Sequence, residues 1–193
     1  MDTWLLCDYG QVLSTPPPAD EWERLRRVAG DLPAAEFHSI YWEHRPAYDR
    51  ADLDATGYWD LVLGEEPTGD LLAEIVRLDR SVWLHPNRAS VEAALRAGGR
   101  WRRLSIFSNA PVEVAAAIDT LEWLQPFEAR FYSCHLRAVK PEPAAYRQVL
   151  DGLGTPAENV LFVDDRPDNV EAARREGIRA EVFTGPEVFD RVG

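Results

Sequence analysis

Five short apolar runs, rich in β-branched or aromatic residues, are spread along the chain between stretches with apolar residues at helical spacing. Runs of this length and composition are typical of buried β-strands. The predicted strands are Trp4 to Cys7, Leu104 to Phe107, Arg130 to Ser133, Val160 to Val163 and Ala180 to Phe183. In the second half of the chain, strand and helix signals therefore alternate.

Predicted helices separate the later strands. Three of them begin at Pro111, Pro141 and Arg166, where Pro, Asp or Asn residues suit a first helical turn. Two of these close on glycines, at Gly154 and Gly177. Strands that alternate with helices indicate βαβ units. The sequence predicts an α/β fold, a doubly wound parallel sheet with helices on both faces.

The segment between the first and second strands breaks this alternation. It contains helical patterns, such as DEWERLRRVAG and DLLAEIVRLDRSVW, and no convincing strand. A helical insertion at this point would lie over the carboxyl ends of the strands, where doubly wound sheets bind ligands. We therefore predict a core of residues 1–14 and 84–193 and a helical cap of residues 15–83.

Composition restricts the classes of partner. The formal net charge is -12, and such a field repels nucleic acid and anionic lipid surfaces. No apolar stretch approaches the roughly 20 residues of a membrane span, and the N-terminal residues lack the pattern of a signal peptide. We expect a cytoplasmic protein with no nucleic-acid or membrane partner; the sequence leaves its oligomeric state open.

Polar residues suited to catalysis follow four of the predicted strands. They are Asp8 after the first strand, Ser108 and Asn109 after the second, Lys140 shortly after the third, and Asp164 with Asp165 after the fourth. All would meet at the carboxyl edge of the sheet. Helix capping explains any one Asp, Ser or Asn, but not the joint pattern. Three converging carboxylates repel one another unless they are neutralised, which favours Mg²⁺ beside Lys140, the chain's only lysine.

Four stretches resemble, in order, the four motifs of the haloacid dehalogenase-like superfamily, mostly phosphohydrolases with a Rossmann-type core. They are LLCDYGQVL, SIFSNA, AVKPEPAAY and VLFVDDRPDNVEAA. The insertion resembles the small helical cap of the subclass that includes sugar-phosphate phosphatases and true dehalogenases. The resemblance covers essentially the whole chain and implies a Rossmann-like sheet with strand order 5-4-1-2-3.

The resemblance also implies a Mg²⁺-dependent phosphatase whose substrate is a small phosphate ester. Asp8 would attack phosphorus and form an aspartyl-phosphate, which water then hydrolyses. Mg²⁺ would be held by Asp8, Asp165 and the backbone carbonyl of Gly10, with Asp164 in or next to that shell.

Three further residues receive roles from the same resemblance. Ser108 would hydrogen-bond a transferring phosphoryl oxygen, with the Asn109 backbone N–H beside it. Lys140 would offset the negative charge of the nucleophile and the phosphate. Because this reaction spreads charge over the phosphoryl oxygens, most of the catalysis would be electrostatic.

One position departs from the usual pattern. Most phosphatases of the superfamily carry a second Asp two residues after the nucleophile, which protonates the leaving oxygen, and here that residue is Gly10. Acid–base help of this kind typically contributes about 10²–10⁴-fold. Members that resemble glucose-1-phosphate phosphatases also carry a D-x-G-x-V form. His135 is a candidate to replace the acid, although a loop histidine is more often exposed or hydrogen-bonded.

Two other functions stay open. True haloacid dehalogenases also lack the second Asp and use the first to displace halide without a metal. The pair Asp164 and Asp165 argues against them, because a metal-free pocket for an anionic haloacid should not hold extra carboxylates. The other alternative is a catalytically weak protein that keeps the fold to bind phosphate or a protein partner.

In the predicted cap, Arg45 is equally consistent with a substrate contact and with a structural role. We interpret Trp42 and Trp59 as core residues of the cap rather than as walls of a binding site. Cys7 and Cys134 have no metal-ligand spacing, and we expect both to be reduced, buried thiols.

Overall fold

The computed structural model describes residues 3–99 and 103–191, so residues 1, 2, 100–102, 192 and 193 of the predicted core lie outside the described ranges. Five strands form one parallel sheet: β1 (Trp4–Cys7), β2 (Arg103–Ser108), β3 (Phe127–Tyr132), β4 (Val160–Asp164) and β5 (Arg179–Val182). Their order across the sheet is β3-β2-β1-β4-β5. This confirms the predicted order, read from the opposite edge.

The largest difference from the predicted strands is at β3. We predicted a strand over 130–133, whereas β3 begins at Phe127 and Ser133 already starts a helix. β3 is an edge strand, and Glu128 is exposed within it. Charged residues are common on sheet edges, and here one interrupts the apolar signal of the strand. The other predicted boundaries lie within one residue of the observed ones.

Four α-helices lie within residues 15–83, the predicted cap: α1 (Ala19–Val28), α2 (Ala34–Asp49), α3 (Ala55–Leu63) and α4 (Gly69–Ser81). Side-chain caps define two of their starts, since Asp54 accepts from the Gly57 N–H and Thr68 from the Leu71 N–H. The four helices share a separate hydrophobic core, in which Trp59 is fully buried. The prediction for Trp59 is therefore confirmed.

In the described part of the chain, six more α-helices cover the sheet: α5 (Arg88–Gly98), α6 (Val112–Asp119), α7 (Ser133–Leu136), α8 (Pro143–Leu153), α9 (Pro167–Arg175) and α10 (Glu187–Arg191). Strand β1 lies between two hydrophobic cores: Leu5 and Cys7 face one of them, and Trp4 and Leu6 face the other. This confirms the predicted doubly wound arrangement. Within the described ranges, no helix combines the length and apolarity needed to cross a bilayer.

The connections between the sheet and helices α1–α4 run side by side. After β1 the chain makes one π-type turn, Tyr9–Leu13, closed by the Ser14 N–H and the Tyr9 carbonyl at 2.8 Å. Ser14 then pairs with Pro86 in an isolated antiparallel bridge. The outgoing and returning chains therefore fix the position of the helices above the carboxyl edge.

Candidate active site

The strand ends form the floor of a cleft at the carboxyl edge of the sheet. The side of the cleft formed by the sheet, here called the core wall, includes Asp8, Gly10, Ser108, Asn109, Lys140 and Asp165. Asp164 is fully buried beneath it. The cleft encloses about 170 Å³, which suits a small ligand. The structure thus brings together the strand-end residues that the sequence singled out.

Asp8 ends β1 and is buried, with 7% of its surface exposed. Its Oδ1 accepts a hydrogen bond from the Tyr9 N–H at 2.7 Å and lies 2.7 Å from Lys140 Nζ. Burial raises the pKa of Asp8 to about 8; Lys140 lowers it, while Asp164 and Asp165 raise it further. The site therefore concentrates more negative charge than its one ammonium neutralises.

Lys140 is held rigidly between the carboxylates. Its Nζ donates to Asp164 Oδ2 at 2.7 Å and to the Phe107 carbonyl at 2.9 Å, in addition to contacting Asp8. Its backbone pairs with the Asn109 side chain, which accepts from the Lys140 N–H at 2.8 Å and donates to its carbonyl at 3.0 Å. Burial lowers the pKa of Lys140, but Asp164 and Asp8 outweigh burial, so the net direction is upward. The ammonium is therefore a fixed, persistent charge.

Asp164 and Asp165 differ in their environment although they are adjacent. Both oxygens of Asp164 accept hydrogen bonds, from Lys140 Nζ, the Arg166 N–H and the Asn169 side-chain amide. Asp165 is half-buried and lines the cleft. Burial raises its pKa, and Asp164 adds to that effect. Asp164 thus orients Lys140, while Asp165 faces the ligand space.

The donor set fits a hard divalent cation. Ligand oxygens of Asp8, Asp164 and Asp165 lie within 4.8 Å of one another, and carboxylate oxygens are the ligands that Mg²⁺ prefers. Asn169 Oδ1, beside them, is buried and has no hydrogen-bond partner in the described part of the chain. An unsatisfied buried acceptor next to three carboxylates is consistent with a hydrated cation at this point.

Gly10 follows Asp8 in the turn and lines the cleft. Its φ of −63° and ψ of 125° suit any L-residue. Within the described residues, a Cβ added to Gly10 would meet no atom within 4 Å outside the backbone of its own turn and its chain neighbours. The residue at this position is thus not dictated by backbone strain or by crowding.

Ser108 ends β2 and is 4% exposed, with its hydroxyl near the Asn109 carbonyl at 3.4 Å. Ala110, the next residue in the loop, donates its N–H to Ser133 Oγ at 2.9 Å. The loop is therefore tied to β2 on one side and to α7 on the other. It holds the Ser108 side chain and the loop backbone at the floor of the cleft.

Helix α2 supplies most of the facing side, here called the cap wall, with Trp42, Arg45 and Asp49; Trp83 lies beside them. Trp42 is 42% exposed, and its ring meets that of Trp83 at 78° with centroids 6.1 Å apart. The prediction that Trp42 belongs to the cap core is wrong. One residue earlier, Tyr41 is fully buried, so a single step along the helix turns the side chain from the core to the cleft.

Arg45 lines the cleft but is 4% exposed, because it lies in a network of buried groups. Its Nε donates to Asp49 Oδ1 at 2.8 Å, and its Nη1 contacts the Tyr41 hydroxyl and lies 3.3 Å from Asp79 Oδ1. Its guanidinium also lies over the Tyr48 and Trp83 rings. The structure thus gives Arg45 a structural role at the edge of the ligand space, and its substrate contact stays a prediction.

Sequence reasoning missed Asp49, the last residue of α2, which is 7% exposed and lines the cleft. Its spacing of four residues from Arg45 was the available signal, since residues so spaced share a helix face. His135 is exposed and packs against Tyr132, with ring centroids 5.8 Å apart. Cys7 and Cys134 are both free and buried, as predicted.

Several curated proteins share local sequence similarity with the chain, among them a phosphatase and a cyclase. Phosphatase MT3486 of Mycobacterium tuberculosis is 31% identical over 112 residues, covering 55% of this chain and 50% of that protein. Drimenol cyclase drtB of Aspergillus calidoustus is 46% identical over 115 residues, covering 58% of this chain and 21% of that protein. The chain therefore spans half or less of the length of these relatives.

Many solved structures share the fold, among them an enzyme with bound magnesium and phosphate and a dehalogenase. HAD family enzyme BT-2542 of Bacteroides thetaiotaomicron, in complex with magnesium and inorganic phosphate, matches with a TM-score of 0.74 and 16% identity over 94% of each chain. L-2-haloacid dehalogenase of Xanthobacter autotrophicus matches with a TM-score of 0.71 and 20% identity, over 99% of this chain and 82% of that one. Both phosphate-binding and dehalogenating enzymes are thus built on this architecture.

The sequence model of the haloacid dehalogenase-like hydrolases matches residues 13–177. This range contains the predicted cap and the last three strand-end motifs, while Asp8 precedes it. Since the match extends over most of the chain, the protein belongs to the haloacid dehalogenase-like hydrolase family.

Proposed function

We propose that this hydrolase is a Mg²⁺-dependent phosphatase of a small phosphate ester, acting through an aspartyl-phosphate on Asp8. The observation that carries the proposal is the buried contact of Asp8 with Lys140, with Asp165 beside them in the same cleft. This arrangement combines a carboxylate nucleophile, a fixed cation and a further carboxylate. The phosphatase from M. tuberculosis and the magnesium and phosphate bound to BT-2542 support the same function.

In this proposal Asp8 attacks phosphorus in line with the leaving oxygen. Its position is fixed by the Tyr9 N–H and by Lys140, so little reorganisation is needed before attack. Lys140 is itself fixed by Asp164 and the Phe107 carbonyl. It therefore offsets the combined charge of Asp8 and the phosphoryl oxygens throughout the reaction.

Ser108 and the backbone after it, which line the same cleft, would bind the phosphoryl oxygens. Asp8, Asp165 and the Gly10 carbonyl would hold the cation, and Asp164 supports the site from beneath through Lys140 and Asn169. Mg²⁺ bound there would neutralise carboxylate and phosphoryl charge as a Lewis acid.

The direct test is turnover of p-nitrophenyl phosphate with and without Mg²⁺. We expect metal-dependent hydrolysis by the unaltered protein and background rates for Asp8→Asn and Asp165→Asn. Asp168→Asn is the matched control, because Asp168 is an exposed neighbour paired with Arg166. Metal-independent turnover, or turnover that survives Asp8→Asn, contradicts the proposal.

Metal binding can be read separately from activity. A cation that binds only the folded state raises the melting temperature, and at 100 times its Kd it contributes about 2.7 kcal/mol. We expect Mg²⁺ to stabilise the unaltered protein and Asp168→Asn, but not Asp165→Asn. Chloride release from 2-haloacids, with no hydrolysis of any phosphate ester, would instead identify a dehalogenase.

A further inference from the structure

The usual acid two residues after the nucleophile is missing at Gly10, so the proposed reaction needs a proton donor from elsewhere in the cleft. Most of the protonatable groups there are already engaged. Lys140 pairs with Asp8 and Asp164, the Tyr9 hydroxyl donates to the Trp83 carbonyl at 2.8 Å, and Asp165 lies in the carboxylate cluster. Asp49, on the cap wall, takes no part in nucleophilic attack, in phosphate binding or in metal binding as proposed above.

Asp49 is held close to the phosphoryl-binding loop. Its backbone carbonyl accepts a hydrogen bond from Ser133 Oγ at 2.6 Å, and the same Ser133 oxygen accepts from the Ala110 N–H. Ala110 directly follows Ser108 and Asn109. One serine hydroxyl thus connects the end of α2 to the loop that would bind the phosphate.

Neighbouring contacts fix the end of α2 further. The Tyr48 hydroxyl donates to Glu113 Oε2 at 2.8 Å, and Arg50 pairs with Glu142. Both partners belong to the sheet-covering part of the chain, at α6 and just before α8. Asp49 therefore lines the cleft from a backbone anchored to the sheet-covering part of the chain.

The burial and the charges around Asp49 disfavour its ionised form. The Arg45 guanidinium is shared by two buried carboxylates, Asp49 at 2.8 Å and Asp79 at 3.3 Å. One cation between two buried carboxylates leaves one negative charge uncompensated. Burial raises the pKa of Asp49, and the negative charge of Asp79 raises it further. Arg45 and Lys140 lower the pKa of Asp49, but the net direction is upward.

We propose that Asp49 is the general acid of this enzyme, donating its proton from the cap wall to the leaving-group oxygen. The inference rests on the proposed phosphatase function. In the first step the bond from Asp8 to phosphorus forms, the bond from phosphorus to the leaving oxygen breaks, and the Asp49 proton makes that oxygen an alcohol.

In the second step the Asp49 carboxylate takes a proton from water as the water oxygen attacks phosphorus. The bond from phosphorus to Asp8 then breaks. Inorganic phosphate leaves, and Asp8 and Asp49 return to their starting protonation states. The cycle consumes one ester and one water and needs no other reactant.

The test is the dependence of kcat on the leaving group in Asp49→Asn, which keeps an oxygen for Arg45 to bind. General acids typically contribute about 10²–10⁴-fold, and most where the leaving group is poor. We expect Asp49→Asn to lose about 10²-fold or more on alkyl phosphates such as glycerol 2-phosphate. The loss on p-nitrophenyl phosphate, whose leaving group barely needs a proton, should be far smaller.

The matched control is Asp168→Asn, which neutralises an exposed carboxylate paired with Arg166 and should not change the leaving-group dependence. Gly10→Asp in the Asp49→Asn background should restore alkyl phosphate turnover, because it returns an acid from the opposite side. Three results would each overturn this inference without touching the proposed function. They are equal losses on all esters, no loss on any ester, or an unaltered protein that hydrolyses only p-nitrophenyl phosphate. An unaltered protein without Asp8-dependent phosphatase activity overturns the proposed function as well.

Discussion

The two walls of the cleft each place one buried cation between two buried carboxylates, but they differ in how that cation is used. On the core wall, Lys140 contacts Asp8 and Asp164 at 2.7 Å each, at the bottom of the ligand space. On the cap wall, Arg45 binds Asp49 and Asp79 among aromatic rings. A compact ammonium suits a point charge near a reacting phosphate, whereas a planar guanidinium suits a packed network. The difference assigns charge stabilisation at the reacting phosphate to Lys140, and the support of the cap wall to Arg45.

Removing the core-wall cation should have the largest effect. Lys140→Met leaves Asp8 and Asp164 buried without their partner, and breaking a buried pair in this way costs about 3–5 kcal/mol. We expect turnover of p-nitrophenyl phosphate to fall to background and the urea midpoint to drop. Arg147→Met, which removes an exposed partner of Glu176, is the control and should cost about 1 kcal/mol or less. If a folded Lys140→Met variant retained turnover, the Lys140 ammonium would not be needed for the reaction.

Removing the cap-wall cation should mainly affect stability. Arg45→Met leaves Asp49 and Asp79 without a cation, at a cost of about 3–5 kcal/mol, but it leaves the nucleophile and Lys140 in place. We expect a lower urea midpoint and a raised KM with measurable kcat. Arg77→Met, at an exposed pair with Glu74 on α4, is the control. If kcat were lost as completely as in Lys140→Met, the two cations would not differ in role.

Trp42 on α2 and Trp59 on α3 should differ in role, one contacting the ligand and the other packing in the core. Trp59 is fully buried, so Trp59→Ala should cost about 3–5 kcal/mol. Trp42 is 42% exposed in the cleft, so Trp42→Ala should barely change the denaturation midpoint but should raise KM. Denaturation curves and steady-state kinetics on both variants test this. Equal stability losses would mean that Trp42 packs as the sequence first indicated.

The two walls of the cleft also differ in how well the sequence predicts them. Asp8 and Asp165 follow buried strands directly, and a parallel sheet must bring its carboxyl ends to one edge, so both were predictable from strand ends alone. Lys140 lies beyond α7, and the signal for it was that it is the chain's only lysine. The cap wall depends on which face of α2 meets the sheet. Helix α2 itself carries aromatic residues on several of its faces, so its sequence pattern does not indicate which face is buried. Docking of the cap, which no local pattern encodes, decided the roles of Trp42 and Asp49.

The smallest effect is expected from restoring the missing acid at Gly10. The position accommodates a side chain, since no atom in the described part of the chain, apart from the adjacent backbone, lies within 4 Å of the added Cβ. The backbone angles also suit any L-residue. Because Asp49 already supplies a proton in our proposal, Gly10→Asp should raise turnover of alkyl phosphates only a few-fold, and that of p-nitrophenyl phosphate less. Gly10→Asn, of the same shape without an acid, should give no gain. A gain of about 10²-fold, the typical size of general-acid help, would show that the cleft has no effective acid without it.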